Sequence, residues 1–460
     1  MQPRAVSNAP SRRIRLLLVL ASWLYVLAFH YAYVNYLIVE WAYWGFTYRP
    51  PESKEIALMA LLVTLGAVFM PAALERGSSV ILLLLYLTVY LPVVMVTLSL
   101  DKDGIELYGE ALGALAIAFC MVCIVVRYPY RTVATPSFVA GQSFTTVIML
   151  GWLVCFVTLA VTYWSIIGFA GLDAIYEQRA RGTASDALTA YMQTYLGFVI
   201  SPALITIGIT GKKFWPIFWG TAGCLLMYLI TAQRTLFLLP AGLLGLHFLL
   251  RRRNPIFRST ALPTFAIAAA IFLTACFWNE SDLAQLVCNY LTGRTVAVPG
   301  LTFSQYHDVF TREGFTWWTH VRGIGGLVAP PKLAEDELWP RLGNIVGDRV
   351  YNKSDVNVNA NLFSSDGLAA AGTLGVIVIG LLFAIYLRFL DRISAKWDSN
   401  FVILAVFPVG LALTNAPFWT TMLSFGGLFW LLVFRFWPTP LLSKLAGKPA
   451  GGPQWEYERL

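Results

Sequence analysis

"NVNANLFSSDGLAAAGTLGVI", Asn357 to Ile377, begins with asparagines at alternate positions, passes two serines and an aspartate, and ends in a glycine-rich apolar run. A chain that changes from amides to alanines within one turn is crossing from water into a medium that cannot hydrogen-bond. Amides and hydroxyls ahead of a helix satisfy its free N–H groups, and Asp366 is the expected cap. Gly367, Ala371 and Gly375 then repeat every four residues, a small-residue stripe that lets another helix approach closely. Capping alone does not account for so many amides, and polar groups crowded at a membrane mouth suit the hydroxyls of a sugar.

The rest of the chain has the same solvent. Of 460 residues, 58% are hydrophobic and 13% charged, with a mean hydropathy of +0.66, against roughly 25% charged in a soluble domain. No soluble fold of this length hides so much apolar surface. The composition predicts an all-α, polytopic integral membrane protein, read over residues 1–460 as a single membrane domain. The net charge of +8 is carried in short basic clusters between apolar runs; these are topology signals, so no nucleic-acid partner is expected. Five of the six cysteines lie in apolar runs and predict packing, without disulfides or a metal site.

About twelve runs reach the roughly 20 residues a bilayer requires: 14–36, 56–75, 79–99, 108–127, 145–169, 188–210, 214–232, 234–250, 260–278, 367–388, 400–418 and 421–437. The last two are close enough to be read as a re-entrant pair. The first is too long for a signal peptide and is expected to remain. With the N-terminus cytoplasmic, Arg76, Arg127, Arg131, Lys212, Lys213, Arg251 to Arg253, Arg258, Arg388, Arg392 and Lys396 all fall inside. Both termini are then cytoplasmic.

On the outer side lie residues 171–185 and the long stretch 279–366. In the latter, "SDLAQLVCNYL" (Ser281–Leu291) reads as a helix capped by Ser281, and "FTWWTHVRGIGGLV" (Phe315–Val328) as an aromatic interfacial segment. A loop of this length is expected to be a binding element, not a linker.

Arg234 stands at the tight outer junction of the seventh and eighth expected spans. An arginine there either snorkels or grips an anionic headgroup with its planar fork. Arg179, Arg294 and Arg312 add positive charge on the same side. For acid–base work there are four histidines, of which His307, beside Asp308, and His320 lie outside the spans. Asn359, Asn361 and Asp366 are the candidate sugar contacts. Neither a phosphate loop nor a metal-ligand pattern is present in the sequence, so no metal or cofactor is expected.

Three stretches are familiar. The run from Asn361 through Asp366 and Gly367 to Gly372 and Gly375, entering a late span, resembles the bacterial oligosaccharide repeat unit polymerases, the O-antigen polymerase (Wzy-type) family. "YLITAQRTLFLLPA" (Tyr228–Ala241) is similar to that family's helix–Arg–helix junction, and "NYLTGRTVAVPGLTFSQYHDVF" (Asn289–Phe310) to the opening of its large periplasmic loop. "REGFTWWTHVRG" (Arg312–Gly323) fits once the Arg-x10-Gly spacing of some members. The resemblance implies a GT-C-like membrane glycosyltransferase of the bacterial inner membrane. Its substrate would be an undecaprenyl-pyrophosphate-linked oligosaccharide, with a chain-length regulator and a flippase as partners. Arg234 and Arg294, with Arg179 or Arg312 assisting, would hold the departing pyrophosphate of the donor, with His320, or His307 with Asp308, as base. An O-antigen ligase or a lipid-linked oligosaccharide flippase is the alternative.

Overall fold

The computed structural model describes residues 12–127, 141–169, 175–183, 186–252, 254–326 and 328–437. Arg131, Arg253, both chain termini and parts of 171–185 lie outside the described residues. Among the described residues every repetitive element is helical, and the only β-type pairing is an isolated bridge between Ala73 and Ser259. In chain order the helices are α1 (Arg12–Glu40), α2 (Ser53–Phe69), α3 (Gly77–Thr97), α4 (Gly104–Arg127) and α5 (Gln142–Thr162). There follow α6 (Ile175–Arg181), α7 (Ala187–Gly211), α8 (Phe214–Thr231), α9 (Arg234–Arg251) and α10 (Ala261–Cys276). Three consecutive stretches, Asp282–Cys288, a π-helical Asn289–Ala297 and Val298–Glu313, run on as one element, α11. The chain closes with α12 (Leu342–Tyr351), α13 (Phe363–Ser394), α14 (Ser399–Leu413), α15 (Phe418–Ser424) and α16 (Gly427–Phe436).

Eight of these (α1, α3, α4, α5, α7, α8, α9 and α13) are long and apolar enough to cross a membrane. The pair α15 and α16, bent by 52°, makes a ninth if it is one broken span. The break expected between residues 418 and 421 therefore falls later, at Ser424–Gly427, and α14 is an unbroken helix. α10 and α14 are shorter apolar helices of 16 and 15 residues.

α3 is the most enclosed of the long helices and α5 the least. α1 packs along α10, α4 along α13 and α3 along α14. Since lipid is as apolar as leucine, such pairs are held by close packing. Gly380 of α13 lies against Ala118 of α4, where a Cβ would come within 2.7 Å. The expected small-residue stripe does something else: a Cβ on Gly375 would meet the backbone oxygen of Gly367. Those glycines let α13 fold against itself, and the contact with a neighbouring helix is made further along, at Gly380.

The two ends of the bundle differ in chemistry. At one end, arginines donate to carbonyls of other helices' last turns or the residues just after. Arg76 reaches Val126 O (3.2 Å), Arg127 reaches Val68 O (2.6 Å) and Met70 O (2.7 Å), and Arg388 reaches Val125 O (3.0 Å). Arg258 joins Leu250 O (2.6 Å) to the Asn400 side chain (3.0 Å). This is where cations are favoured by helix dipoles. At the same end Asp391 caps α3 through Ser78 N (3.1 Å) and Ser78 Oγ (2.5 Å). The opposite end carries Trp41, Trp44, the Lys102–Asp308 ion pair (2.7 Å) and all of α11.

The stretch 279–366, expected to be a loop with short amphipathic helices, is dominated by the long α11. Ser281 does cap its first turn, accepting from Ala284 N at 3.2 Å. In that turn and the next, Leu283 and Val287 face outward, while residues from Pro299 to Tyr306 are buried in the bundle. Gly300 fits under Pro92 O of α3, 2.6 Å from where its Cβ would be.

Candidate active site

The site is built on an interruption of α13. Ala371 (φ −154°, ψ 32°) and Gly372 (φ 60°, ψ −140°) leave the helical conformation, and the second of these is open to glycine alone. Breaking the helix frees carbonyls that no water in a membrane can satisfy. The loop after α11 supplies the donors: Thr316 N bonds Ala369 O and Trp317 N bonds Ala370 O, both at 2.8 Å. Phe315 lies on Gly372, its Cζ 2.8 Å from where a Cβ would be. Trp317 and Trp318 hold φ of 51° and 60° to make the turn. The aromatic segment expected at the interface is therefore stitched into the broken helix.

That stitching delivers His320. Its Nδ1 and Thr316 Oγ1 are 2.8 Å apart, and its Nε2 stands 3.9 Å from Asp366 Oδ1. The His320 and Asp366 side chains are 8% and 0% exposed. Burial pushes the imidazole pKa down to about 4, so it is neutral at pH 7 and able to accept a proton. When Nδ1–H donates to Thr316, the Nε2 lone pair faces Asp366.

Asp366 does not cap its own helix. Asn361 does, its Oδ1 accepting from Phe363 N (2.9 Å) and Ser364 N (3.2 Å). Asp366 instead accepts from Phe418 N at the start of α15. That leaves Asp366 Oδ1, His320 Nε2, Asn361 Nδ2 and Ser364 Oγ buried without a hydrogen-bond partner among the described residues. Each such atom costs on the order of 1–3 kcal/mol. Two of them, His320 Nε2 and Asp366 Oδ1, face each other beside the helix break, the pattern of a binding site. A hydroxyl oxygen about 2.8 Å from both His320 Nε2 and Asp366 Oδ1 would see them at roughly 90°, and its single proton can go to one of the two acceptors at a time. Asn359, by contrast, is exposed.

The other expected residues fall into two groups. Asp308 accepts from Lys102 Nζ (2.7 Å) and Tyr108 OH (3.1 Å). Burial works to raise its pKa, but the hydrogen bonds from His307, Lys102 and Tyr108 outweigh it and hold the carboxyl below its usual range. Committed to Lys102, it is a poor base. His307 lies 3.5 Å from Asp308 Oδ1 and faces a small cavity beside Gly372.

Three arginines share a neighbourhood. Arg234 at the start of α9 lies over the Tyr290 ring, 3.7 Å from its centroid. Arg179 donates to Ala232 O (3.4 Å) in the same junction, where Ala232 takes φ 50°. Arg294, one π-turn past Tyr290, lies over Trp41 (5.3 Å) and Trp44 (5.1 Å). Arg312 is apart from them: paired with Glu313 (3.3 Å) and 64% exposed, it ends α11, roughly 21 Å beyond Val298 at 1.5 Å per residue. Between the groups stands Tyr306, whose hydroxyl donates to Val358 O (3.0 Å). Its pKa is driven up by burial and then by the Asp366 carboxylate.

Fold and site together define a polytopic, all-helical membrane protein with a broken helix and a buried His–Asp pair at one end. No protein-family model, curated protein or solved structure matches this chain. Among the described residues no three His, Cys, Asp or Glu side chains are grouped to hold a metal ion.

Proposed function

We propose that this chain is a metal-independent glycosyltransferase that polymerises undecaprenyl-pyrophosphate-linked oligosaccharide repeat units at the outer face of the bacterial inner membrane. The observation that carries the reading is the His320–Asp366 pair, buried at a helix break with His320 Nε2 and Asp366 Oδ1 both lacking a hydrogen-bond partner among the described residues. Such a site suits a sugar hydroxyl that must be oriented and deprotonated. His320 is the base that takes the attacking hydroxyl's one proton on Nε2, the Asp366 carboxylate 3.9 Å away offsets the charge of the imidazolium so formed, and Asn361 is the group for a neighbouring hydroxyl.

In this reading α2, α10 and α14 also cross the bilayer, bringing nine crossings to twelve in a GT-C-like arrangement. The arginine-capped end faces the cytoplasm with both termini, and α11 with the segment after it forms the periplasmic element.

The arginines take a different part from the one first expected. Arg294 and Tyr306 are roughly 18 Å apart along α11 at 1.5 Å per residue. That distance is too long for the two sides of one anomeric carbon, and fits the two ends of a short oligosaccharide. Arg234, Arg294 and Arg179 accordingly grip the pyrophosphate of the acceptor, whose repeat unit extends along α11 to present its far hydroxyl to His320. That hydroxyl attacks the anomeric carbon of the donor glycan, and undecaprenyl pyrophosphate leaves.

Deleting the gene in a polysaccharide-producing host tests this. Loss of long polymer with retention of a single repeat unit on the surface is the expected phenotype. Loss of all surface glycan, including the single unit, would instead mark a ligase or a flippase.

A further inference from the structure

We propose that the cavity walled by Glu110, His307, Phe315 and Thr373 is a subsite for one uncharged hexose ring of the glycan, an inference that rests on the glycan reading above. The cavity holds about 170 Å³, with Thr311, Leu368 and Gly372 completing its wall. That is below the roughly 300–1,000 Å³ of a drug-sized pocket and suits a ligand no larger than a single ring.

The lining selects the class of occupant. Glu110 is an acceptor only, two threonine hydroxyls both donate and accept, and His307 brings ring nitrogens. No lysine or arginine lines the cavity and a carboxylate does, so a phosphate is repelled. Its polar groups exclude an acyl or isoprenoid chain. Convergent hydroxyl, imidazole and carboxylate groups beside one aromatic ring are what a neutral polyol with an apolar ring face needs.

Position supports the same assignment. Glu110 belongs to α4, which starts at Gly104, so its carboxylate sits roughly 9 Å into a membrane-crossing helix at 1.5 Å per residue. Glu110 is exposed there, within reach of a ligand that enters the cavity. Phe315 lies against Gly372 at the helix break, and the next residue, Thr316, holds His320. A ring seated on Phe315 is thus adjacent to the sugar whose hydroxyl meets His320.

The test is saturation-transfer NMR on the purified full chain in nanodiscs, with methyl glucoside, galactoside, mannoside, rhamnoside and N-acetylglucosaminide as probes. At least one should receive saturation from the wild type. The Thr373→Trp variant, which fills the cavity, should abolish it, and the isosteric Glu110→Gln, at an exposed position where folding is not at stake, should reduce it about fivefold. No transfer to any probe, or equal transfer in all three proteins, would overturn the subsite. Glycoside binding by a wild type that makes no polymer would sink the polymerase and leave the subsite. Polymer of wild-type length from both variants would sink the subsite and leave the polymerase.

Discussion

His320 is held neutral by burial, and that has consequences for stability and for catalysis. Its folded pKa of about 4 lies below the ordinary histidine value, so between the two the unfolded chain binds a proton that the folded chain refuses. This group therefore lowers stability as pH falls from about 6.5 to about 4. Thermal melts should show Tm dropping across that window in the wild type and dropping less in His320→Gln. At pH 7, His320→Gln should lose on the order of 100-fold or more in rate as a missing general base. Arg234 offers a second test. If its fork binds phosphate, Arg234→Ala removes roughly 1.5–3 kcal/mol, about tenfold or more in activity, and Lys restores it only in part. Polymer ladders from Arg, Lys, Gln and Ala at matched expression read this directly, and four similar ladders would reject the phosphate grip. At this scale the sequence identified His320, Asp366 and Asn361 as candidates but put the principal cap on Asp366 where Asn361 takes it, since a cap is a backbone geometry and not a residue type. Glu110 was missed, although a carboxylate just inside an apolar run is the kind of charge that membrane energetics singles out.

The element that decides the site is the interruption of α13. Gly372→Ala forces an L-residue into φ 60°, ψ −140°, a strain of about 1–3 kcal/mol, against Phe315 2.8 Å away. A lower Tm and loss of polymerisation are expected. Gly113→Ala is the control: within α4, nothing lies within 4 Å of its Cβ position, so helix propensity should make it neutral or mildly stabilising. If Gly372→Ala melts and works like Gly113→Ala, the break does not shape the site. This interruption was not legible in the sequence, because glycines four residues apart read equally as a helix–helix contact and as a helix folding on itself. α11 was hidden for a related reason: Pro299 and Gly300 look like breakers, yet Pro299 stands in the first turn of Val298–Glu313 and Gly300 fits under Pro92 O. Eight of the twelve expected spans are helices long and apolar enough to cross a membrane, because lipid imposes length and composition on them directly.

For the whole molecule, the claim is one of sidedness and chemistry. Asn359 is exposed in the segment leading into α13, so Asn359→Cys should react with a membrane-impermeant thiol reagent when only the outer membrane is permeabilised. Labelling that requires rupture of the inner membrane would invert the topology. Ser304, in the same outer stretch 279–366, is 2% exposed and would stay silent either way. The most direct measurement is reconstitution. The purified chain in liposomes, supplied with an undecaprenyl-pyrophosphate-linked repeat unit from its own host and with EDTA present, should yield a ladder of polymer lengths. His320→Gln and Asp366→Asn, folded by thermal melt, should leave the single unit. A wild type that leaves the unit unextended, a ladder that needs added Mg²⁺, or variants that extend it as well as the wild type would contradict the account.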